Sequence, residues 1–355
     1  MKITDDTKEP RSLSEALSSE NKIQWVRAIE EEMKSLMKNK TWKLCKLPED
    51  RIAIGCKWVY KAKEDTEGKI RFKARLVAQG FTQRYGLDYD QIFTPVTKQA
   101  TFRTLLTIAS KEKYVVRHLD FKTEFLNGKI KEEIYMQQPP GFIKNEEEQL
   151  VCLLQKSIYG LKQAAKSWHD ELHNILIKIN FTQSNADACL YMKRDREEER
   201  CFLIVYVDDM VVAAKTNEVT DKLIETISLI FEVKDLGDIK IYLGIEIIKD
   251  EDGIYHLCQS KYIQKMITEF GLQNSKASNV PMNVGYLKTS QESSDNLLLS
   301  NKDYQKLIGC LLYISVNTRP DISASISILA QKVTHPAQED WNELKRVLKY
   351  LKELL

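Results

Sequence analysis

Apolar residues recur at helical spacing in several segments of the chain. In residues 23–38, IQWVRAIEEEMKSLMK, the apolar side chains that lie one or two turns apart are Trp25, Ile29, Met33, Leu36 and Met37. This spacing predicts an amphipathic helix. Similar patterns predict helices over 98–113, 161–180 and 218–231, and helical structure from about residue 260 onward with a polar interruption at 284–302.

Alternating patterns predict strands between these helices. Residues 52–81 hold two runs in which apolar and basic residues alternate, separated by the turn-like EDTEGK, which predicts a β-hairpin. YVVRHLDF is typical of a strand that ends near Asp120. The apolar run 201–214 is typical of two short strands joined at Asp208-Asp209, because an adjacent acidic pair suits a tight turn. KIYLGIEIIKDEDGIYHLCQS predicts a further hairpin with its turn at Gly253. Helices combined with antiparallel hairpins predict an α+β fold.

The overall charge does not point to a particular partner. The 355 residues carry 53 Lys plus Arg against 51 Asp plus Glu, which gives a net charge of +2, so any nucleic-acid-binding surface must be local. Residues 57–75 are such a local excess, with seven basic residues against three acidic ones. A solvated hairpin face is the alternative explanation of these charges.

The cysteines and the apolar segments indicate the compartment. The seven cysteines are scattered and form no CxxC pair, which favours a reducing environment without a zinc site or a disulfide framework. The polar N-terminal segment is not typical of a signal peptide, and no uncharged apolar stretch has the length of a membrane span. The sequence therefore predicts a soluble intracellular protein.

The candidate chemistry lies in LIVYVDDMVVAA, residues 203–214. Two carboxylates in an apolar run are costly unless they are paired or bind a metal. At a turn between buried strands they suit magnesium, which prefers oxygen ligands, and Asp120 on a neighbouring strand would allow a two-metal site of the kind used in phosphoryl transfer. The alternatives are an ordinary polar hairpin tip for Asp208-Asp209 and a structural role for Asp120.

Together these motifs resemble the reverse transcriptase region of copia-type LTR-retrotransposon polyproteins, from about Glu9 to Leu351. The stretches that carry the resemblance are, in chain order, EEEMKSLMKNKTW, IGCKWVYKAK, FKARLVAQGFTQRYGLDYDQIFTPV, LDFKTEFLNG, EEIYMQQPPGF, LQKSIYGLKQA, YVDDM, FEVKDLGDIKIYLGIEI and NTRPDI. The resemblance implies a right-hand polymerase with fingers, a palm built on an antiparallel sheet, and a helical thumb. The implied division is an N-terminal helical extension at 1–40, fingers and palm at 41–255, and thumb or connection helices at 256–355.

The resemblance also implies a role for individual residues. Asp120, Asp208 and Asp209 match the catalytic carboxylates, which with the Phe121 backbone carbonyl would bind two Mg²⁺ ions, Mn²⁺ being possible. The implied nucleotide-binding residues are Lys73, Arg75, Phe121, Phe125 as a steric gate against a 2′-OH, Gly160, Lys162 and Gln163. Tyr242, Leu243 and Gly244 match the primer grip.

The implied activity is RNA-directed DNA polymerisation with an RNA template, a DNA primer or RNA–DNA duplex, and dNTP. The implied location is the cytoplasm, in a virus-like particle of the parent element, with the nucleus as a further possibility. The resemblance implies no membrane contact. It also implies RNase H and integrase parts elsewhere in a parent polyprotein. Two departures from the family pattern, Glu124 in place of a small residue and Ala165-Lys166 in place of Pro-Arg, leave open a decayed or domesticated, non-catalytic descendant that at most binds nucleic acid.

Three other signals are explained without a site. HDELH at 169–173 places two histidines four residues apart but lacks the Glu that zinc proteases carry after the first His. The run 193–200 is typical of a solvated hairpin tip. The basic helix ELKRVLKYLKELL is expected to be a solvated face, with template–primer contact as the second interpretation.

Overall fold

The computed structural model describes residues 9–64, 69–143, 145–193, 200–286 and 296–353. The chain divides into two compact units. The first contains the residues up to 102 together with 114–237, and the second contains 103–113 together with 238 onward. The domain division expected from the sequence, at 40/41 and 255/256, stays a prediction.

Helices and antiparallel sheets both contribute to the two units, so the predicted α+β class is confirmed. The helices described are α1 Leu13–Ser18, α2 Lys22–Lys38, α3 Gln99–Lys111, α4 Ala164–Lys178, α5 Asn217–Ser228, α6 Ser260–Glu269, α7 Lys302–Asn317, α8 Ser323–Ala330 and α9 Gln338–Glu353. The strands are β1 Trp42–Lys46, β2 Cys56–Glu64, β3 Ile70–Ala78, β4 Val115–Phe121, β5 Tyr135–Met136, β6 Leu150–Leu154, β7 Thr182–Gln183, β8 Leu190–Lys193, β9 Cys201–Tyr206, β10 Asp209–Ala214, β11 Val233–Asp238, β12 Ile241–Tyr242, β13 Ile245–Lys249 and β14 Tyr255–Cys258.

A six-stranded sheet is the centre of the first unit, with strand order β11-β4-β10-β9-β8-β7. Strands β9 and β10 form the predicted hairpin, in which Tyr206 pairs with Asp209. Strand β4 lies antiparallel to β10, with Asp120 opposite Asp209. The pairing of β4 with β10 therefore brings together carboxylates that are far apart in sequence.

Helices α4 and α5 cover this sheet with apolar side chains. Trp168, Leu172 and Leu176 are buried on α4 at intervals of four residues, which places them on one helix face. They share a core with Leu119 of β4 and Val212 of β10, and Leu223 and Ile227 of α5 belong to the same core. This packing fixes the sheet beneath the β9–β10 turn.

The N-terminal helix α2 packs against the β2–β3 hairpin. Trp25 of α2 meets Tyr60 and Phe72 edge-on, with ring centroids 5.3 and 4.7 Å apart. Residues of even number on the hairpin form this apolar face, so the apolar–basic alternation of the sequence separates the two faces as expected for strands. The predicted turn residues 65–68 lie outside the described residues.

The second unit contains a three-stranded sheet of order β12-β13-β14 and helices α6 to α9. The helices share a core whose fully buried members include Leu307, Leu311 and Leu348. The predicted hairpin turn at Gly253 lies between β13 and β14, and this glycine has a φ of 85°, which suits a residue without Cβ.

All seven cysteines are free. Among the described residues, none of the helices combines the length and apolar character that crossing a membrane requires.

Candidate functional site

The turn between β9 and β10 consists of Val207 and Asp208. Val207 has a φ of 52°, a value at which two-residue hairpin turns usually carry glycine. A β-branched residue in this region costs roughly 1–3 kcal/mol. The turn is therefore a strained element that its surroundings must hold in place.

Two hydrogen bonds hold the backbone of the turn. The Trp168 indole Nε1 donates to the Val207 carbonyl at 2.6 Å, and the Phe121 backbone N–H donates to the Asp208 carbonyl at 2.9 Å. The rings of Phe121, Trp168 and Phe231 meet edge to face, with centroids 5.1 to 5.9 Å apart. This aromatic cluster gives the turn a rigid base.

The three aspartates differ in their surroundings. Asp120 and Asp208 line a cavity of about 560 Å³, whereas the Asp209 carboxylate lies 2.8 Å from Nε2 of His118. Burial raises the pKa of Asp120, and the charge of Asp209 adds to this effect. Burial likewise raises the pKa of Asp208, with contributions from Asp209 and Asp120. Each raised pKa marks a carboxylate that gains from a nearby cation.

The same cavity also has basic lining residues. Lys63, Arg71, Lys73 and Arg75 of the β2–β3 hairpin line it. In the hairpin register Lys63 lies opposite Arg71 and Lys61 opposite Lys73, and like charges directly opposite each other destabilise a sheet. A bound anion would relieve this repulsion, so the cavity is suited to a polyanionic ligand together with a cation.

Glu124 is a second buried acid in this cavity. Its side chain is 3% exposed, it accepts a hydrogen bond from the Tyr159 hydroxyl, and both residues line the cavity. Burial raises the pKa of Glu124, and the charge of Asp208 acts in the same direction against the lowering effect of the hydrogen bond from Tyr159. The structure thus places the unexpected carboxylate among the residues of the candidate site.

The remaining predicted nucleotide-binding residues, Phe125, Gly160, Lys162 and Gln163, are not among the described residues that line this cavity. Phe125 is half-buried and packs edge-on against Tyr159, with ring centroids 4.7 Å apart. Gly160 has a φ of 91° and approaches the backbone of β3 so closely that a Cβ would lie 2.1 Å from the Ala78 carbonyl oxygen. Only glycine fits there. This close contact brings the loop before α4 against the end of β3 in the basic hairpin.

Lys162 and Gln163 are bound to the loop that follows β3. The Lys162 ammonium donates to the Tyr89 hydroxyl at 3.0 Å and lies 4.5 Å from the centre of that ring. The buried Gln163 side chain donates to the Asp88 carbonyl at 2.8 Å and accepts from Gln83 at 3.0 Å. Both residues therefore hold loop 83–89 in the described conformation.

The predicted primer-grip residues belong to the second unit. Leu243 and Gly244 form the turn between β12 and β13, and both have positive φ, 48° and 77°. Positive values at both central positions are typical of a type I′ hairpin turn. The Tyr313 hydroxyl of α7 donates to the Leu243 carbonyl, which supports the tip of this hairpin, while Tyr242 is buried beneath it.

The described residues contain no group of three or more His, Cys, Asp or Glu side chains already converged on a metal position. The oxygen donors of Asp120 and Asp208 nevertheless fit a hard divalent cation, because magnesium takes few protein carboxylates and completes its shell with water and phosphate oxygens. Of the paired histidines 169 and 173, His173 is engaged elsewhere, since its Nδ1 lies 3.0 Å from the Tyr191 hydroxyl.

The basic helix near the C-terminus is largely engaged within its own unit. On α9, Lys345 lies 5.3 Å from the Trp341 ring, Arg346 lies 3.2 Å from Glu343, and Lys352 donates to three backbone carbonyls of residues 272–275. These contacts favour the solvated, structural interpretation of the helix over nucleic-acid binding by these three cations.

Several residues of the site were not found from the sequence. Trp168, His118 and Glu32 act through partners 39 to 91 residues away, so no local pattern identifies those partners. Glu32 alone gives a local signal, because it occupies a buried position of α2 between Ile29 and Leu36, where an apolar residue is expected.

Comparison with known proteins identifies relatives for most of the chain. Residues 39–284 match a family model described as reverse transcriptase (RNA-dependent DNA polymerase). The chain is 38% identical to the retrovirus-related Pol polyprotein from transposon TNT 1-94 of Nicotiana tabacum, over 99% of this chain and 27% of that one. It is 34% identical to the Pol polyprotein from transposon RE2 of Arabidopsis thaliana, over 97% of this chain and 23% of that one.

A shorter relative and a solved structure complete the comparison. A putative Ty5-1 transposon protein of Saccharomyces cerevisiae is 32% identical over 66% of this chain and 75% of its own length. A foamy viral protease-reverse transcriptase in complex with RNA/DNA hybrid is 13% identical, with a TM-score of 0.46 over 92% of this chain and 36% of that one, a similarity too low to support an argument. The chain spans about a quarter of the length of the plant polyproteins it matches.

Proposed function

Because this chain belongs to the reverse transcriptase family of copia-type retrotransposon Pol polyproteins, we propose that it is an RNA-directed DNA polymerase. In this reaction the primer 3′-oxygen forms a bond to the α-phosphorus of a dNTP. The bond from that phosphorus to the leaving pyrophosphate breaks, and the 3′-hydroxyl loses its proton. The chain's own contribution is to position the reactants and to stabilise the charge that develops.

The observation that carries this proposal is one cavity that carboxylates and cations line together. Asp120 and Asp208 line it, and so do Lys73 and Arg75. The two cations would bind the triphosphate, with Arg75 able to grip phosphate oxygens through more than one N–H. The two carboxylates would then lie near the α-phosphate and the primer end.

Asp120 and Asp208, with Asp209 and the Phe121 carbonyl, would hold the two Mg²⁺ ions, for which Mn²⁺ is a substitute. When bound, such ions lower the pKa of the primer hydroxyl and neutralise charge on the leaving pyrophosphate. The Asp209 carboxylate lies 2.8 Å from Nε2 of His118 and is not among the described residues that line the cavity, so Asp209 would have to turn away from His118 to join them.

The other predicted residues are proposed to act around this centre. Phe125, which packs against Tyr159, would reject a 2′-hydroxyl through a steric clash with its ring, and Gly160, Lys162 and Gln163 would hold the loops next to the nucleotide. Leu243 and Gly244, with the buried Tyr242 beneath their turn, would form the primer grip. We assign the β2–β3 hairpin to the fingers, the six-stranded sheet to the palm and the helices from residue 256 onward to the thumb.

The proposed partners are an RNA template, a DNA primer and dNTP, with RNase H and integrase parts in a parent polyprotein. The proposed location is the cytoplasm, within the particle of the parent element, or the nucleus.

Primer extension on poly(rA)/oligo(dT) with magnesium tests this proposal. We expect Asp120→Asn to lower kcat roughly a thousandfold or more, because metal-held charge is worth several kcal/mol in the transition state. Asp221→Asn is the matched control. Asp221 lies on α5, is exposed, and pairs with Arg117 of β4. A chain that extends primers equally well with Asp120→Asn would contradict the proposed site.

Glu124 supports a second candidate, a non-catalytic descendant that binds nucleic acid without copying it. A carboxylate inside the nucleotide cavity opposes a polyanionic substrate. If duplex binds but no extension occurs with either metal, and Glu124→Ala restores extension, this second candidate describes the chain.

A further inference from the structure

We infer that Glu32 of the N-terminal helix α2 is a positioning residue that orients Arg75 toward the triphosphate of the incoming nucleotide. This inference rests on the proposed function. It extends the active site to a helix that precedes the part of the chain matched by the family model, which begins at residue 39.

The first observation is the position of Glu32 on its helix. Helix α2 sends Trp25, Ile29 and Leu36 into the core beneath the hairpin, and this packing fixes the helix. Glu32 occupies the same buried stripe, and its side chain is 7% exposed. Buried carboxylates are rare unless they are paired, so its retention there requires a specific partner.

That partner is Arg75 of β3. Its Nη1 donates to the Glu32 carboxylate at 3.0 Å, while its guanidinium lies over the Tyr159 ring, 5.2 Å from the ring centre. The guanidinium is therefore held by an anion and an aromatic face. Burial raises the pKa of Glu32, whereas the positive charge of Arg75 lowers it. The nearby guanidinium therefore stabilises the charged form of this buried carboxylate.

The held guanidinium still has donors for a ligand. An arginine carries five N–H donors in a fixed planar fork, and the bond from Nη1 to Glu32 uses one of them. Arg75 and Glu32 both line the cavity that also contains Asp120 and Asp208. Holding one edge of the fork reduces the conformational freedom that phosphate binding would otherwise remove.

Glu32 has two opposing effects on triphosphate binding, and chains with and without Arg75 distinguish between them. Its negative charge repels the ligand, whereas its bond to Arg75 orients a cation toward the ligand. If orientation is the larger effect, removal of the charge weakens binding only while Arg75 is present. In a chain that already lacks Arg75, only the repulsion remains.

The test is a double-mutant cycle with Glu32→Gln and Arg75→Gln in the full chain. Glu31→Gln is the matched control, because Glu31 is an exposed carboxylate of the same helix and lines the same cavity. We expect Glu32→Gln to raise the KM for dNTP about tenfold, as for loss of a charged hydrogen bond, with kcat changed less than about threefold. In the chain that already carries Arg75→Gln, Glu32→Gln should leave the KM for dNTP unchanged or lower it. Glu31→Gln should leave this KM unchanged or lower it whether or not Arg75 is present.

A binding measurement makes the result independent of catalysis. Displacement of a fluorescent dNTP by inorganic tripolyphosphate, with magnesium present, should show the same pattern of affinities. Failure of the chain to extend primers would contradict the proposed polymerase activity, and the displacement would still decide the role of Glu32. Loss of affinity by the same factor in both backgrounds, together with a lower melting temperature, would assign Glu32 a purely structural role.

Two other outcomes overturn the inference. A gain of affinity on Glu32→Gln with Arg75 present would show that the carboxylate competes with the triphosphate for the guanidinium. Absence of any displacement by tripolyphosphate from the unsubstituted chain would show that the cavity does not bind triphosphate.

Discussion

At the scale of single residues, Glu124 places a carboxylate where the proposed ligand is strongly negative. It faces the cavity together with Asp208, Arg75 and Tyr159, and burial raises its pKa. Below this raised pKa the carboxyl is neutral and can coexist with a triphosphate. Above it the side chain carries a charge whose repulsion costs on the order of 1 kcal/mol or more in a partly solvated site.

The expected result is therefore a pH-dependent gain from Glu124→Gln, which removes the charge and keeps an acceptor for the Tyr159 hydroxyl. The KM for dNTP should fall several-fold at high pH, and the gain should shrink as the pH falls toward the raised pKa of Glu124 and the native carboxyl takes up its proton. Because both proteins are assayed with the same nucleotide, ionisation of the triphosphate cancels in the ratio of their KM values. A ratio of KM values near one at every pH, or one equal to the ratio for Glu31→Gln, would mean that no charge on Glu124 repels the ligand.

The sequence predicts site residues well where their signal is local. Asp208 and Asp209 interrupt an apolar run, Asp120 ends an apolar strand, and Lys73 and Arg75 alternate with apolar neighbours. His118 escapes such reasoning, because an isolated histidine on a strand is ordinary, and the buried position of Glu32 on α2 marks it without revealing its partner. Their importance comes from partners 91 and 43 residues away, and only tertiary pairing reveals it.

At the scale of elements, the predicted segments agree with the structure to within a few residues, since apolar periodicity is dictated by burial on one face. The predicted helices at 23–38 and 98–113 correspond to Lys22–Lys38 and Gln99–Lys111. The sheet order could not be derived in this way. Strand β4 pairs with β10 across some 90 residues, and many pairings satisfy the same alternation.

The strained β9–β10 turn gives an element-scale prediction. Trp168→Phe removes the N–H that binds the Val207 carbonyl, so we expect kcat to fall at least several-fold in addition to a stability loss of about 1–3 kcal/mol. Trp58→Phe is the matched control, because Trp58 is also buried and donates its Nε1 to a backbone carbonyl, that of Pro140, at 3.0 Å. Thermal unfolding and primer extension are measured on both proteins. Equal loss of kcat in the two would show that general destabilisation, and not the turn, limits catalysis.

At the scale of the whole molecule, the net charge of +2 is a poor guide to binding. Charges farther away than about 10 Å are screened at 0.1 M salt, so a phosphate responds to the side chains beside it. The β2–β3 hairpin presents Lys57, Lys63 and Arg71 as exposed cations, whereas the α9 cations Lys345, Arg346 and Lys352 are occupied within their own unit. Binding of nucleic acid should therefore depend on the hairpin.

Salt titration of binding to an RNA–DNA duplex tests this expectation. The affinity should fall steeply with salt, with a logarithmic slope of about −3 or steeper, because each phosphate contact contributes about −0.9. Lys73→Gln with Arg75→Gln should weaken triphosphate binding more than duplex binding and change the slope by less than about one contact. The control is Arg346→Gln with Lys352→Gln, which should leave the slope unchanged because these side chains already bind acceptors within the chain. If the substitution of both hairpin residues weakens binding of the two ligands equally, Lys73 and Arg75 contact the duplex backbone, and the cations that line the cavity are not a dedicated triphosphate site.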